Sequence, residues 1–149
     1  GTTYLQAQVE LCHRLNMPLG LAFIDIDHFK AVNDMYGHLI GDQVLQKVAE
    51  VVKHAVRGSD LACRWGGEEF IVIAPNTTLE NMRLVAEKVR QAVQIALADN
   101  TPPVTISLGV ASASGLAINQ TNLMAEADSA LYWAKHNGRN RVETAPVKD

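Results

Sequence analysis

Leu61-Ala-Cys-Arg-Trp-Gly-Gly-Glu-Glu-Phe-Ile-Val-Ile-Ala74 sets two glycines and two glutamates between the apolar runs Leu61–Trp65 and Phe70–Ala74. A Gly-Gly pair between β-prone runs is a tight-hairpin signal, because glycine reaches the positive φ that two-residue turns need. The returning strand opens on Glu68 and Glu69 and then turns wholly apolar. Carboxylates at a strand edge bared by glycine meet a metal or a phosphate with little steric hindrance. A second acidic pair, Asp25 and Asp27, ends the apolar run that begins at Leu19. Residues two apart on a strand share a face. If the hairpin neighbours that strand, Glu68 joins both aspartates in one site.

Outward from the hairpin, the pattern alternates. Leu5, Val9 and Cys12 form a helical stripe ended by Asn16-Met17-Pro18. Leu19–Asp27 reads as a buried strand and His28–Tyr36 as a short helix closed by Gly37. Val44, Leu45, Val48, Val51, Val52 and Ala55 mark the apolar face of a longer helix, with Gly58 beyond its end. After the hairpin, Pro75 stops the strand, and the apolar positions from Leu79 to Ala96 predict a long amphipathic helix. Val104–Ser112 is β-branched and alternating. A last helix runs through Leu123 to Ala134, capped by Asn137-Gly138, and Arg141–Thr144 is a candidate edge strand. A hairpin inside βα units forces some antiparallel pairing. The expected class is therefore α+β: a sandwich with a mixed, mostly antiparallel central sheet and helices on both faces.

The chain has 149 residues, 48% hydrophobic and 19% charged, which suits one soluble domain with a real core. Its net charge of −3 argues against a broad nucleic-acid footprint. Cys12 and Cys63 are expected to be reduced thiols in a cytoplasmic domain. The apolar run Leu19–Ile24 is too short to span a bilayer, so no membrane contact is expected, and no signal peptide is evident. The chain opens on Gly1-Thr2-Thr3, as a domain excised from the C-terminal part of a longer protein would.

The acids suggest a hard cation. Two carboxylates about 5 Å apart repel by ~3 kcal/mol at an effective dielectric of about 20. A few oxygen ligands with room for water and substrate phosphate describe Mg²⁺ or Mn²⁺. The histidines, His13, His28, His38, His54 and His136, show no zinc spacing. Solvated glutamates beside a helix-capping Asp27 are the competing account.

Further segments narrow the choice: Phe23-Ile-Asp-Ile-Asp-His-Phe-Lys30, Asn33-Asp34, Tyr36-Gly-His38, Gly41-Asp42, Arg64-Trp-Gly-Gly-Glu-Glu-Phe70, Ala130-Leu-Tyr-Trp-Ala-Lys135 and Gly138-Arg-Asn140. In order and spacing, from about Leu19 to Val142, they resemble the GGDEF family of diguanylate cyclases. Glu68 stands where the family allows Asp or Glu. The element order likewise resembles the palm-like, ferredoxin-type fold of nucleotide cyclases. The resemblance implies condensation of two GTP into cyclic di-GMP and two pyrophosphates, by in-line attack of a ribose 3′-hydroxyl on an α-phosphate.

It also implies roles. Asp25 and Glu68 are metal-ligand carboxylates, completed by the Ile26 carbonyl. Glu69 orients the site or assists deprotonation, and Gly66 and Gly67 let backbone approach the phosphates. Asn33 and Asp42 match the guanine-reading pair; loop and N-cap chemistry is their alternative. A carboxylate accepts from guanine N1–H and N2–H together, which adenine does not offer. Lys30 helps hold the triphosphate with amides near His28 and Phe29 at a helix start. Lys135 and Arg139 match phosphate-contacting cations, although cations favour helix C-termini in any case. Asp27 is left between helix capping and support of the metal site.

Arg57-Gly-Ser-Asp60 leaves five residues before Gly66, the register of the family's inhibitory RxxD motif. Arg57 suits a guanine edge or a phosphate, and Asp60 suits guanine N1–H. Lys88 or Arg90 on the following helix is the candidate third cation. The family's leading Asp-x-Leu-Thr-x-Leu-x-Asn-Arg motif is absent. A homodimer is expected for catalysis, and an N-terminal sensor domain in the full-length protein. A non-catalytic cyclic di-GMP receptor and a GTP-binding regulatory module are the alternatives to an active cyclase.

Overall fold

A computed structural model of the chain describes residues 2–145; the outermost limits of the expected 1–149 domain lie outside them. The elements follow in the order α1 (Thr2–Leu15), β1 (Pro18–Ile26), α2 (Phe29–Tyr36), α3 (His38–Ala55), β2 (Leu61–Gly66), β3 (Glu69–Pro75), α4 (Leu79–Ala96), β4 (Ile106–Ser114), α5 (Gln120–His136) and β5 (Val142–Thr144), with a 3-10 turn at Gly115–Ala117. The sheet order is β2-β3-β1-β4-β5. Every pairing is antiparallel except β4 with β5. This is the mixed α+β arrangement the sequence predicts.

β1 is the central strand and is buried on both faces, which is why it reads as a continuous apolar run. Ala22, Ile24 and Ile26 pack with Phe70, Val72, Ile106 and Leu108 against α3 and α4. Leu19, Leu21 and Phe23 pack with Ile71 and Ile73 against α1 and α5. One apolar layer therefore lies on each side of the sheet. α5 sits very close to β4: a Cβ on Gly109 would stand 2.1 Å from the Leu131 nitrogen and 2.2 Å from the Ala127 oxygen. Only glycine permits that approach.

The structure departs from the sequence reading at the hairpin. Gly66 pairs with Glu69, so the turn is Gly67-Glu68, and a bulge separates Arg64 from Gly66. Neither Gly66 nor Gly67 is in the left-handed region. The bulge adds local twist, and the Arg64 Nε and Nη2 atoms close the turn by donating to the Gly67 oxygen at 2.9 and 2.6 Å. Positive φ is not what these glycines supply. They leave the tip bare: a Cβ at either position would meet nothing within 4 Å. β4 also begins at Ile106 rather than Val104, because its ladder starts opposite Ile26, the last residue of β1. Cys12 is buried, Cys63 half-buried, and both are free thiols. No helix among the described residues is long and apolar enough to cross a membrane.

Candidate active site

Asp25 arrives at the end of the central strand. Its cross-strand partners are Glu69 on β3 and Ser107 on β4. One residue on, the Ile26 N–H donates to the Glu68 oxygen at 3.3 Å, drawing the hairpin tip against β1. Register alone thus brings Asp25, Ile26, Glu68 and Glu69 together. Lys135, in the last turn of α5, forms an ion pair with Asp25 Oδ2. Asp25 Oδ1 is buried with no hydrogen-bond partner.

Burial pushes the Asp25 carboxyl above its ordinary value of 3.8. Lys135 opposes that shift, and Glu68 and Asp27 add to it, yet desolvation prevails. Glu69 is also raised, chiefly by burial and then by the Asp25 charge. Lys135 opposes there too, while Glu68 and Asp128 of α5 reinforce the shift. Asp128 has no motif of its own and went unread in the sequence. A site that gathers carboxylates against one lysine and leaves an orphan oxygen is built for additional positive charge.

Asp27 does not cap α2, whose entry residue His28 takes a left-handed conformation without any side-chain cap. Asp27 is buried and fully engaged. It accepts from Thr105 Oγ1 at 2.7 Å, from Ser107 Oγ at 2.5 Å and from the Asn140 N–H at 3.0 Å. It is therefore no third metal carboxylate, and no group of three His, Cys, Asp or Glu side chains among the described residues forms a metal cage. The donors left are the Asp25 and Glu68 carboxylates and the Ile26 carbonyl. These hard oxygens, with the unpartnered Asp25 Oδ1 among them, fit a divalent cation.

A cavity of about 480 Å³ opens over these groups. β1 and the hairpin contribute Asp25, Ile26 and Glu68; the start of α2 contributes His28, Phe29 and Lys30; the end of α5 brings Lys135 and Arg139. The N–H groups in the first turn of α2 have no intrahelical acceptors, which favours anions there. Asp34 also lines the cavity, although its motif suggested no role. Asn33 and Asp42 lie outside it on the α2–α3 pair. The Asn33 carboxamide rests over Gly41, where a Cβ would stand 1.8 Å from its oxygen. Gly41 directly precedes Asp42, which is exposed.

Residues 2–141 match the family model for the GGDEF domain of diguanylate cyclases. The chain belongs to the GGDEF family. It is 45% identical over 127 residues to diguanylate cyclase A of Treponema denticola, an alignment covering 83% of this chain and 34% of that protein. The chain therefore spans about a third of that curated relative. The GGDEF domain of DgcB from Caulobacter crescentus, solved in complex with c-di-GMP, superposes with a TM-score of 0.89 at 33% identity, covering 97% of this chain and 87% of that one. The active GGEEF domain of a diguanylate cyclase from Vibrio cholerae gives a TM-score of 0.87 at 34% identity, covering 95% and 92%.

This GGDEF domain carries a second cavity, of about 510 Å³, beyond the other end of β2. Arg57, Asp60 and Lys88 line it, together with Asn76 and Asn81, which the sequence reading did not single out. The Asp60 N–H donates to the Arg57 oxygen at 3.0 Å, so the RxxD segment is a closed turn. Burial raises the Asp60 carboxyl despite the hydrogen bond and charge of Arg57. Arg90 does not reach this cavity. Its guanidinium bonds Glu87, Gln94 and, at 2.9 Å, Asn140 Oδ1.

Proposed function

We propose that this domain condenses two GTP molecules into cyclic di-GMP, releasing two pyrophosphates, with one GTP held per domain and two domains face to face. The observation that carries the reading is the single cavity onto which Asp25, Glu68, Lys135, Arg139 and the start of α2 all open. Lys30, Lys135, Arg139 and the α2 amides near His28 and Phe29 neutralise and orient the triphosphate. Asn33 and Asp42 read guanine from the neighbouring surface. Glu69, with its raised carboxyl, orients the reacting groups or takes the ribose 3′-hydroxyl proton. Gly66 and Gly67 leave the hairpin tip open to phosphate. Mg²⁺ or Mn²⁺ held by Asp25, Glu68 and the Ile26 carbonyl would acidify that hydroxyl and offset charge at the α-phosphate.

The Arg57–Asp60–Lys88 cavity supports product binding, and hence feedback inhibition, at a site joined to the catalytic hairpin by β2. It also gives the second reading its basis: a cyclic di-GMP receptor that does not turn over. The length of the relatives supports a longer protein carrying this domain with a regulatory segment. Incubation of the product-stripped domain with GTP and Mg²⁺, beside Glu68→Ala, decides between them. Cyclic di-GMP from the unmutated chain alone supports the cyclase. No nucleotide product even after forced dimerisation, with cyclic di-GMP binding retained, favours the receptor.

A further inference from the structure

Arg139 and Asn140 are consecutive non-glycine residues in the left-handed region, at φ 63° and 46°. Asparagine visits this region readily, but an arginine holds it only where its surroundings over-determine it. Here they do. The Arg139 N–H donates to the Ala134 oxygen at 2.9 Å, closing the end of α5. The Asn140 N–H donates to Asp27 Oδ2 at 3.0 Å, and Arg141 Nε donates to the Arg139 oxygen at 3.2 Å. At the Asn140 side chain, Arg90 Nη1 donates to Oδ1 at 2.9 Å. Arg90 is itself fixed, by both Glu87 oxygens and by Gln94 Oε1 at 3.0 Å, and its side chain is only 15% exposed. A guanidinium is a planar fork whose donors have set directions, so a partner held this way has a set position.

We propose that Arg90 and Asp27 clamp Asn140 and so hold the neighbouring Arg139 guanidinium at the phosphate cavity. Arg90 and Asn140 are then positioning residues for nucleotide binding. The inference rests on the reading of that cavity as a triphosphate site. It gives Arg90 a role at the active site in place of the product cavity for which the sequence had offered it. The route is local: from α4 to the Asn140 carboxamide, through one peptide, to Arg139.

The test is a double-mutant cycle on GTP affinity, measured by calorimetric titration of the product-stripped chain. Arg90→Met is expected to weaken GTP binding about tenfold, as is Arg139→Ala, and the double variant to bind no more weakly than Arg139→Ala alone. Asn140→Gly removes the carboxamide while easing the left-handed backbone, and is expected to match Arg90→Met. It keeps the test open if Arg90→Met folds poorly. A purely structural Arg90 would lower the melting temperature yet leave GTP affinity within about twofold, or its loss would multiply with that of Arg139→Ala; either result overturns the clamp. If the unmutated chain binds no GTP, the cavity reading fails and the clamp falls with it. If it binds GTP and the losses multiply, the clamp alone fails.

Discussion

Asp25 and Glu69 stand directly opposite each other on adjacent antiparallel strands; burial raises both carboxyls, and the Asp25 charge raises Glu69 further. The consequence for Asp25 is a folded-state carboxyl above 3.8, even with Lys135 paired to it. Between 3.8 and the raised value the folded chain binds more protons than the unfolded chain, so stability falls as pH rises through that window and stays lower at neutrality. Asp25→Asn removes the charge. The expected outcome is a chain with no cyclase activity and a melting temperature above that of the parent at pH 7, the gain shrinking as pH falls through the raised value and absent below 3.8. Calorimetry across that range checks it. An equal or lower melting temperature at pH 7 would mean that the Lys135 ion pair outweighs desolvation.

Gly109→Ala tests the seat of α5. The added Cβ meets backbone of that helix, which cannot rotate away as a side chain can. Overpacking of this kind costs about 3 kcal/mol or more. Because α5 carries Lys135, the displaced helix also withdraws a cation from the site. Gly67→Ala is the contrast: its Cβ enters open space, so the unfolding free energy is expected to stay within about 0.5 kcal/mol of the parent. Urea titrations of the two variants give the comparison.

The elements that were legible are those written in local pattern. The two-faced burial of β1, the hairpin and the helical stripes each depend on neighbours a few residues away. What the sequence left open depends on distant partners. Asp27 stood open between a helix cap and support of the metal site because its actual partners, Thr105, Ser107 and Asn140, lie 78, 80 and 113 positions away. The hairpin glycines were read for φ, and the bulge beside Arg64 made that unnecessary. Helix geometry separates Lys88 from Arg90. Residues two apart on a helix point about 200° from each other, so only one of them could face the RxxD turn. Lys88 does.

Arg57→Ala tests the second cavity. Arg57 is exposed and lines it with Asp60 and Lys88. Cyclic di-GMP affinity is expected to fall at least about tenfold, as for loss of a charge-assisted, two-pronged contact. GTP turnover is expected to persist without inhibition by added product, and stability to change little at so exposed a position. Glu68→Ala is expected to do the reverse, ending turnover while keeping cyclic di-GMP affinity. Joint loss of both properties in either variant would contradict two separate sites.

Glu87 and Arg90 provide the acid-side counterpart of Asp25. Hydrogen bonding to Arg90 holds the Glu87 carboxyl below its ordinary 4.5, while Arg90 remains charged throughout. A depressed carboxyl contributes stability above its unfolded value and loses it as pH falls through the folded one. Glu87 is 41% exposed, so solvent screening limits the pair to about 1 kcal/mol or less. Glu87→Gln is therefore expected to cost ~0.5–1 kcal/mol at pH 7, and nothing once the parent's Glu87 is itself protonated. The quantity to measure is the difference in unfolding free energy between the two chains from pH 7 down to the lowest pH at which both fold, because the other titrating groups cancel in it. A difference that stays constant across that span would show that Glu87 holds Arg90 by shape alone, since the amide keeps the shape but not the charge.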